Sequence, residues 1–298
     1  MTPAIAALLA TTLAHQPAAP GAPETYAQRV ALLAADEACE LFSPAERALL
    51  AALAARSRDD AARAGDAPSD LDRFERRHGG APESCDEDFA GAMRHRDHTL
   101  ALSETHEIAF PGLHQDWVSE RRHRSAPPWR VRQTARSRPA MLGVHAGEEG
   151  DVLALALRTA SSPAFAVMVV RDPARQAEPL DFTAGGLLPA PYDDALSAWG
   201  AASGAERRIA ASGRLDPDIA ARLAPASGET ALGYAFPDQA IDALRALAPR
   251  DGVRIELVGA RGDVIDTLWF EAGMFNAALA VQALPLPEPD PTQTIASR

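Results

Sequence analysis

Hydrophobic positions change their period once along this chain. Up to about Ile108 they recur every three or four residues, the spacing of one buried helix face; beyond Trp129 they alternate with polar residues or run together in short blocks, as strands do. Ser43-Pro44-Ala45-Glu46 predicts a helix start, with an N-cap serine, a proline at the first helical position and a glutamate placed to close a capping box. Leu49, Leu50 and Leu53 follow at helical spacing until Gly65. A preceding helix over 24–40 puts Tyr26, Val30 and Leu33 on one face, so the two predict an antiparallel pair joined by a short turn. After a polar break at 66–69 and a stop at Gly79-Gly80, residues 86–107 predict a longer helix that buries Phe89, Met93 and Leu100 in one stripe and leaves its histidines to solvent. Phe110-Pro111-Gly112 ends it, because proline disfavours helical geometry before it and glycine supplies a turn.

The second half opens on Trp129-Arg130-Val131-Arg132-Gln133, the alternation of a half-buried strand. Residues 152–157 and 165–170 are near-continuous apolar runs, which predicts a pair of central strands covered on both faces. Gly and Pro crowd 174–191, predicting a loop, and 192–199 predicts a short helix. From Thr230 the pattern predicts a strand to Phe236, then a helix capped by Asp238 that presents Ile241, Leu244 and Leu247. A hairpin of 253–258 and 264–270 follows, turning through 260–263, and a last helix over 271–284 carries Met274, Ala278 and Val281 on one stripe.

The fold class read from this is α+β: an N-terminal helical subdomain followed by an antiparallel, sandwich-like β-rich domain closed by two helices. The segments are a signal peptide and linker at 1–22, the helical subdomain at 23–113, a basic connector at 114–128, the β-rich domain at 129–284 and a disordered polar tail at 285–298. The signal-peptide expectation comes from the apolar run Ile5 to Ala14, which is too short to span a bilayer and precedes a Pro/Ala-rich stretch, although no positive residue stands before it. No other stretch is long and charge-free enough to span a membrane. Cys39 and Cys85 fit export, where one disulfide could tie the helices together; two buried thiols are the alternative.

Composition narrows the chemistry. A net charge of -12 argues against nucleic acid as a partner, since phosphate binding rests on a cationic surface. The chain has no lysine, so all 29 basic residues are arginine. That removes the usual P-loop, pyridoxal-phosphate, protein-kinase and Ser-x-x-Lys mechanisms, each of which needs a lysine. There is no Gly-x-Ser-x-Gly nucleophile elbow, Gly185-Gly186 is not followed by a helix start, and Cys39 and Cys85 sit in helical surroundings. No cofactor is expected.

Two clusters remain. Five of the eight histidines lie between His95 and His123, and His95 and His98 could share a metal ion with a distant third ligand such as His114. His106 lies about 12 Å further along the helix axis, too far to join them, so no metal centre is expected. Seven arginines fall between Arg121 and Arg138, and Arg121, Arg122, Arg124, Arg130 and Arg132 are candidates for binding an anion, since guanidinium presents a fork suited to carboxylate or phosphate. Internal pairing with the chain's own carboxylates is the competing expectation. Arg261-Gly262-Asp263 spells an adhesion tripeptide, but glycine and aspartate are also what a hairpin turn requires.

The segments from Ala240 to Leu247, Val253 to Leu257, Gly262 to Ile265 and Gly273 to Leu279 resemble the end of the invasion-associated locus B-type proteins, small exported bacterial proteins, and Trp129-Arg130-Val131-Arg132 resembles their opening strand. The resemblance implies an envelope location and no catalytic residue; those proteins carry cysteines in the β domain, and this chain has none after Cys85. The expected function is a non-catalytic binding or assembly role in the periplasm or outside the cell, with an anionic ligand or an envelope protein as partner. The alternatives are a hydrolase whose site of carboxylates and His145 is assembled in space, and a cytoplasmic interaction protein if the first residues stay in place.

Overall fold

The computed structural model describes residues 22–82, 84–85, 90–121, 129–136, 138–147, 150–177, 200–202, 204–226 and 229–286. The segment read as a signal peptide lies outside the described residues, as do Phe89, Arg122, Arg124, the helix expected over 192–199, most of the 174–191 loop and nearly all of the polar tail. Among the described residues there are seven α-helices and eleven strands in two antiparallel sheets. The architecture is α+β.

Helix α1 (Ala22–Cys39) and α2 (Pro44–Ala64) form the expected antiparallel pair. The capping box closes as the sequence predicts: Ser43 Oγ accepts from the Glu46 N–H, and Glu46 Oε2 accepts from the Ser43 N–H at 2.8 Å. Asp36, buried on α1, accepts from the Phe42 N–H at 2.8 Å and pairs with Arg47, fixing the turn between the two helices. Two helices follow, α3 (Pro68–His78) and α4 (Ala90–Ser103). The first was hidden in what reads as a polar break. It has a proline at its start and buries Leu71 against Tyr26, Val30 and Ala61.

Helix α4 reverses the expected orientation. Ala92, His95 and Thr99 are buried, whereas Met93 and Leu100 are 63% and 62% exposed. The inward face is chosen by polar partners: His95 Nε2 lies 2.9 Å from the Glu46 carbonyl and Thr99 Oγ1 lies 3.3 Å from Glu46 Oε1, so the carboxylate that caps α2 also selects the face of α4. The helix also ends earlier than periodicity predicts. Residues 107–110 form strand β1 (Glu107–Phe110), with Ile108 and Phe110 turned inward and Glu107 and Ala109 outward, a period of two too short to stand out beside the preceding helix. The β-rich domain therefore begins before Trp129, because β1 and β2 (Trp117–Glu120) lie within what reads as helical subdomain and connector.

The larger sheet runs β1-β2-β3-β4-β5-β9-β8, adding β3 (Val131–Thr134), β4 (Ala140–Ala146), β5 (Asp151–Arg158), β8 (Gly213–Arg214) and β9 (Ala231–Ala235). The smaller runs β11-β10-β6-β7, from β6 (Phe165–Arg171), β7 (Glu206–Ala210), β10 (Gly252–Val258) and β11 (Val264–Glu271). The inner faces share one core, Leu142, Val144, Leu153 and Leu155 against Met168, Val170, Ile255 and Phe270. The apolar runs expected to form a pair, β5 and β6, are interior strands of different sheets; residues 159–164 carry the chain across. Ala154 and Ala156, on the outer face of β5, are covered by Trp129 and by Leu223 of α5 (Pro217–Leu223), which explains why β5 lacks polar alternation. Helix α6 (Gln239–Arg245) forms without the Asp238 side-chain cap. The last helix is shorter than expected, α7 (Phe275–Ala280) with a 3-10 turn at Val281–Ala283, because Glu271 completes β11.

Glu271 joins these parts. Its carboxylate, 1% exposed, accepts from the backbone N–H groups of Leu113 (2.6 Å), His114 (2.7 Å) and Gln115 (3.2 Å) in the β1–β2 loop. Its own N–H donates to Gln133 Oε1 at 2.7 Å, and its carbonyl accepts from Trp117 Nε1 at 2.8 Å. Gly112 is required for the approach: a Cβ there would stand 2.1 Å from the Gln115 carbonyl and 2.9 Å from Glu271 Oε1. A second buried pair, Arg171 and Asp251, meets through two parallel bonds of 2.8 and 2.7 Å and fixes the entry to β10.

Two measurements check these contacts. Replacing Glu271 with Ala leaves three donors without their acceptor, at about 1–3 kcal/mol each, so Glu271→Ala should lower the unfolding free energy by at least about 3 kcal/mol in urea; a loss under about 1 kcal/mol would remove the carboxylate from this role. Asp59 of α2 lies 3.4 Å from Arg250, across the junction between helices and sheets. Burial pushes its carboxyl up to about 6, against the pull of Arg63, Arg250 and Arg56. The folded chain thus keeps this proton to a higher pH than the unfolded chain, and the stabilisation present below about pH 4 is lost as pH rises through about 6. Compared with Asp59→Asn, the native protein should lose up to about 3 kcal/mol between pH 4 and pH 7. Parallel stability curves for the two proteins would contradict it.

Candidate functional site

Helix α1 has more apolar surface than one neighbour can cover. Val30-Ala31-Leu32-Leu33-Ala34-Ala35 surrounds its axis, so one face packs on α2 and α3 while another turns toward α4. The facing surface of α4 is narrow and mostly polar: Gly91, Arg94, His95 and His98, spaced by three, four and seven residues. The two helices diverge, and a cavity of about 840 Å³ lies between them. Leu50 and Leu53 of α2 form its floor, and Gly80 and Pro82 of the loop before α4 form a wall. Disulfide Cys39–Cys85 ties that loop to the end of α1, so the expected pairing is made.

The cavity is graded from one end to the other. Gly91 faces Leu32, where a Cβ on residue 91 would come within 3.1 Å of Leu32 Cδ2; together with Ala35 and Leu50 this makes an apolar end. Toward the start of α1 the lining turns polar, with Thr25, Gln28 and Arg29. Arg29 is anchored through Nη1 to the Leu53 carbonyl at 2.6 Å and to Ser57 Oγ. Burial holds its pKa below the usual arginine range. His98 is likewise pushed down by burial, reinforced by its neighbours His95 and Arg29. Among the described residues the lining contains no carboxylate. A basic rim of Arg29, Arg94 and His98 therefore borders an apolar interior, in a chain of net charge -12.

His95 and His98 are thus brought to one cavity wall, but not as metal ligands. A carbonyl can only accept, so His95 Nε2 must carry the hydrogen it directs at Glu46 and is unavailable to an ion there. His114 belongs to the loop held by Glu271, and among the described residues no group of three or more His, Cys, Asp or Glu is placed to hold a metal.

The three arginine candidates among the described residues are engaged by partners within the chain. Arg121, 2% exposed, donates to the carbonyls of Leu102, Ser103, Leu284 and Pro285, satisfying the end of α4 and stapling it to the chain beyond the 3-10 turn. Burial holds its pKa below the usual range. Arg130 pairs with Asp151 at 3.0 Å, and Arg132 with Glu120 at 2.7 Å and Glu107 at 3.8 Å. Arg122 and Arg124 lie outside the described residues. The face expected to hold an anion is a set of internal ion pairs. Arg29 and Arg94, which sequence reading passed over, line the cavity instead. The signal for them was an apolar run too broad for a single packing face, with a cation one residue before it.

His145 is buried against Trp129, ring centroids 6.4 Å apart, and burial pushes its pKa down. Its Nδ1 lies 3.2 Å from the Ala146 carbonyl, and neighbouring Asp151 is engaged by Arg130. It is therefore not paired with a carboxylate as a hydrolytic base would be. Arg261-Gly262-Asp263 forms the hairpin turn, with Gly262 at φ 84° and the Gly259 N–H donating to the Asp263 carbonyl at 2.8 Å. No family model, curated protein or solved structure matches the chain.

The disulfide has a measurable weight. Its partners are 46 residues apart, and cross-linking a loop of that size constrains the unfolded chain by about 4 kcal/mol. Cys39→Ser with Cys85→Ser should lower the unfolding free energy by an amount of that order, read by urea titration of the two proteins; equal stabilities would show that the bridge constrains nothing.

Proposed function

We propose that the protein is an exported, non-catalytic binding protein of a bacterial envelope, and that the cavity between α1, α2 and α4 is its ligand site. The cavity itself carries the reading. Its volume falls in the range of about 300–1,000 Å³ usual for small-molecule sites, and its lining has the usual make-up, an apolar interior with a few polar groups that fix orientation. It is bounded by rigid helices, one of which is locked by its capping box and another by a disulfide.

Export is supported by the apolar run at Ile5 to Ala14, by the pairing of both cysteines and by the resemblance of residues 240–279 to the invasion-associated locus B-type proteins. No helix among the described residues is long and apolar enough to cross a membrane. The lack of carboxylates in the described lining leaves His98 without an acid-base partner there, which favours binding over hydrolysis.

Two experiments test the reading. N-phenyl-1-naphthylamine, an uncharged apolar dye, should bind the full chain near one to one with enhanced fluorescence. Ala31→Trp, which adds an indole to the lining without removing a core contact, should abolish that binding while leaving the melting transition cooperative. Unchanged dye binding by this variant would place the ligand elsewhere. N-terminal sequencing of protein recovered from its native host should show a chain beginning after Ala14, with no free thiol; an intact Met1 and two reactive thiols would overturn export.

A further inference from the structure

The grading of the cavity restricts what can fill it. Gly91 opposite Leu32 fixes the narrow apolar end, where Ala35 and Leu50 complete the surround. The opposite end has Thr25, Gln28, Arg29 and His98, and Arg94 stands less than one turn from Gly91 between the two ends, so that there are two guanidinium groups and an imidazole and no carboxylate among the described lining. A wholly apolar occupant would partly desolvate the two guanidinium groups and leave the imidazole without a polar partner, and a small hydrophilic anion would leave the Leu32, Ala35 and Leu50 surface wet. A molecule that is anionic at one end and aliphatic along its length satisfies both.

We propose that the cavity holds a single-chain amphiphile with an anionic head, the head received by Arg94 and His98 beside Arg29 and the chain laid along Leu32, Ala35 and Leu50. This rests on reading the cavity as the ligand site. The roles of the three basic groups differ. Arg29 is committed to α2 through Nη1 and contributes mainly its field, because its position is fixed by Leu53 and Ser57. Arg94 and His98 lie one turn apart on the exposed side of α4 and can turn toward a head at the mouth without disturbing the core. A free fatty acid and a lysophospholipid with an anionic phosphodiester share this chemistry, and the size of the head separates them.

Calorimetric titration of the full chain below the critical micelle concentration tests it, with palmitate, lysophosphatidylglycerol and hexadecanol as the three ligands. At least one of the two anionic ligands should bind about tenfold or more tightly than hexadecanol, the ratio expected from one charge-assisted hydrogen bond. Arg94→Gln with His98→Gln should bring that ratio below about threefold while leaving hexadecanol affinity unchanged, and Ala31→Trp should weaken all three ligands. Equal affinity for the alcohol and both anions would overturn the assignment of an anionic head and leave the cavity standing as a ligand site. Anion binding unaffected by Ala31→Trp would overturn the proposal by placing the anion outside the cavity. Failure of all three ligands together with failure of the neutral dye would remove the cavity as a ligand site, a result distinct from failure of the head alone.

Discussion

A buried carboxylate holds the two sheets in their relation. Glu271 ends the edge strand of the smaller sheet, yet all three of its side-chain partners belong to a loop of the larger one, and its own peptide groups reach Gln133 and Trp117 there. Three backbone donors converging on one carboxyl group satisfy it as water would, which makes its burial tolerable. Because α7 begins four residues later, the same junction sets where Phe275 and Ala278 enter the core, and α2 packs on α7. The floor of the cavity, Leu50 and Leu53, belongs to that same helix, and Leu53 also packs against the main core. A contact inside the sandwich thus determines the position of a wall well outside it.

The helices meet this frame through Leu49 and Ala52 of α2, which enter the main core, and through polar contacts. Arg121 closes the carbonyl end of α4 against the chain after the 3-10 turn, and Arg250 meets Asp59 of α2. Their own hydrophobic clusters are small, Tyr26 with Leu71 in one and Phe42 with Leu50 in another. A layer assembled in this way can leave space between helices that a single continuous core would fill. Its geometry is kept by capping, by the disulfide and by hydrogen bonds to Glu46 more than by close packing.

Sequence periodicity disclosed the elements with strong local signals. The capping box at Ser43, the hairpin of β10 and β11, and the buried faces of Val253 with Ile255 and of Ala278 with Val281 were all legible, because local geometry and burial agree there. It misplaced those whose burial is decided by distant partners. Met93 and Leu100 read as core because they are apolar, but the inward face of α4 is selected by hydrogen bonds from His95 and Thr99 to a residue some fifty positions earlier. Strand β1 was absorbed into the preceding helix because four residues give too little alternation to compete with a long helical pattern. Among the described arginines of 121–138, Arg130 and Arg132 each find a carboxylate on another strand and Arg121 turns inward, so their clustering in sequence did not give a free anion-binding face. The cavity was not legible because it lies between α1 and α4, and its shape depends on how far those helices diverge.

The absence of a side chain at position 91 sets an internal dimension of the protein. With 3.1 Å between a hypothetical Cβ there and Leu32, the separation of α1 and α4 at the closed end depends on one leucine lying against bare backbone. Any larger residue at this position would have to displace Leu32, which itself lines the cavity. The depth available to an occupant therefore depends on this position, where even a methyl group would make Leu32 give way by a few tenths of an ångström. A helix pair of this kind works as a gauge, with its zero fixed at Gly91 and its scale read outward toward the arginines.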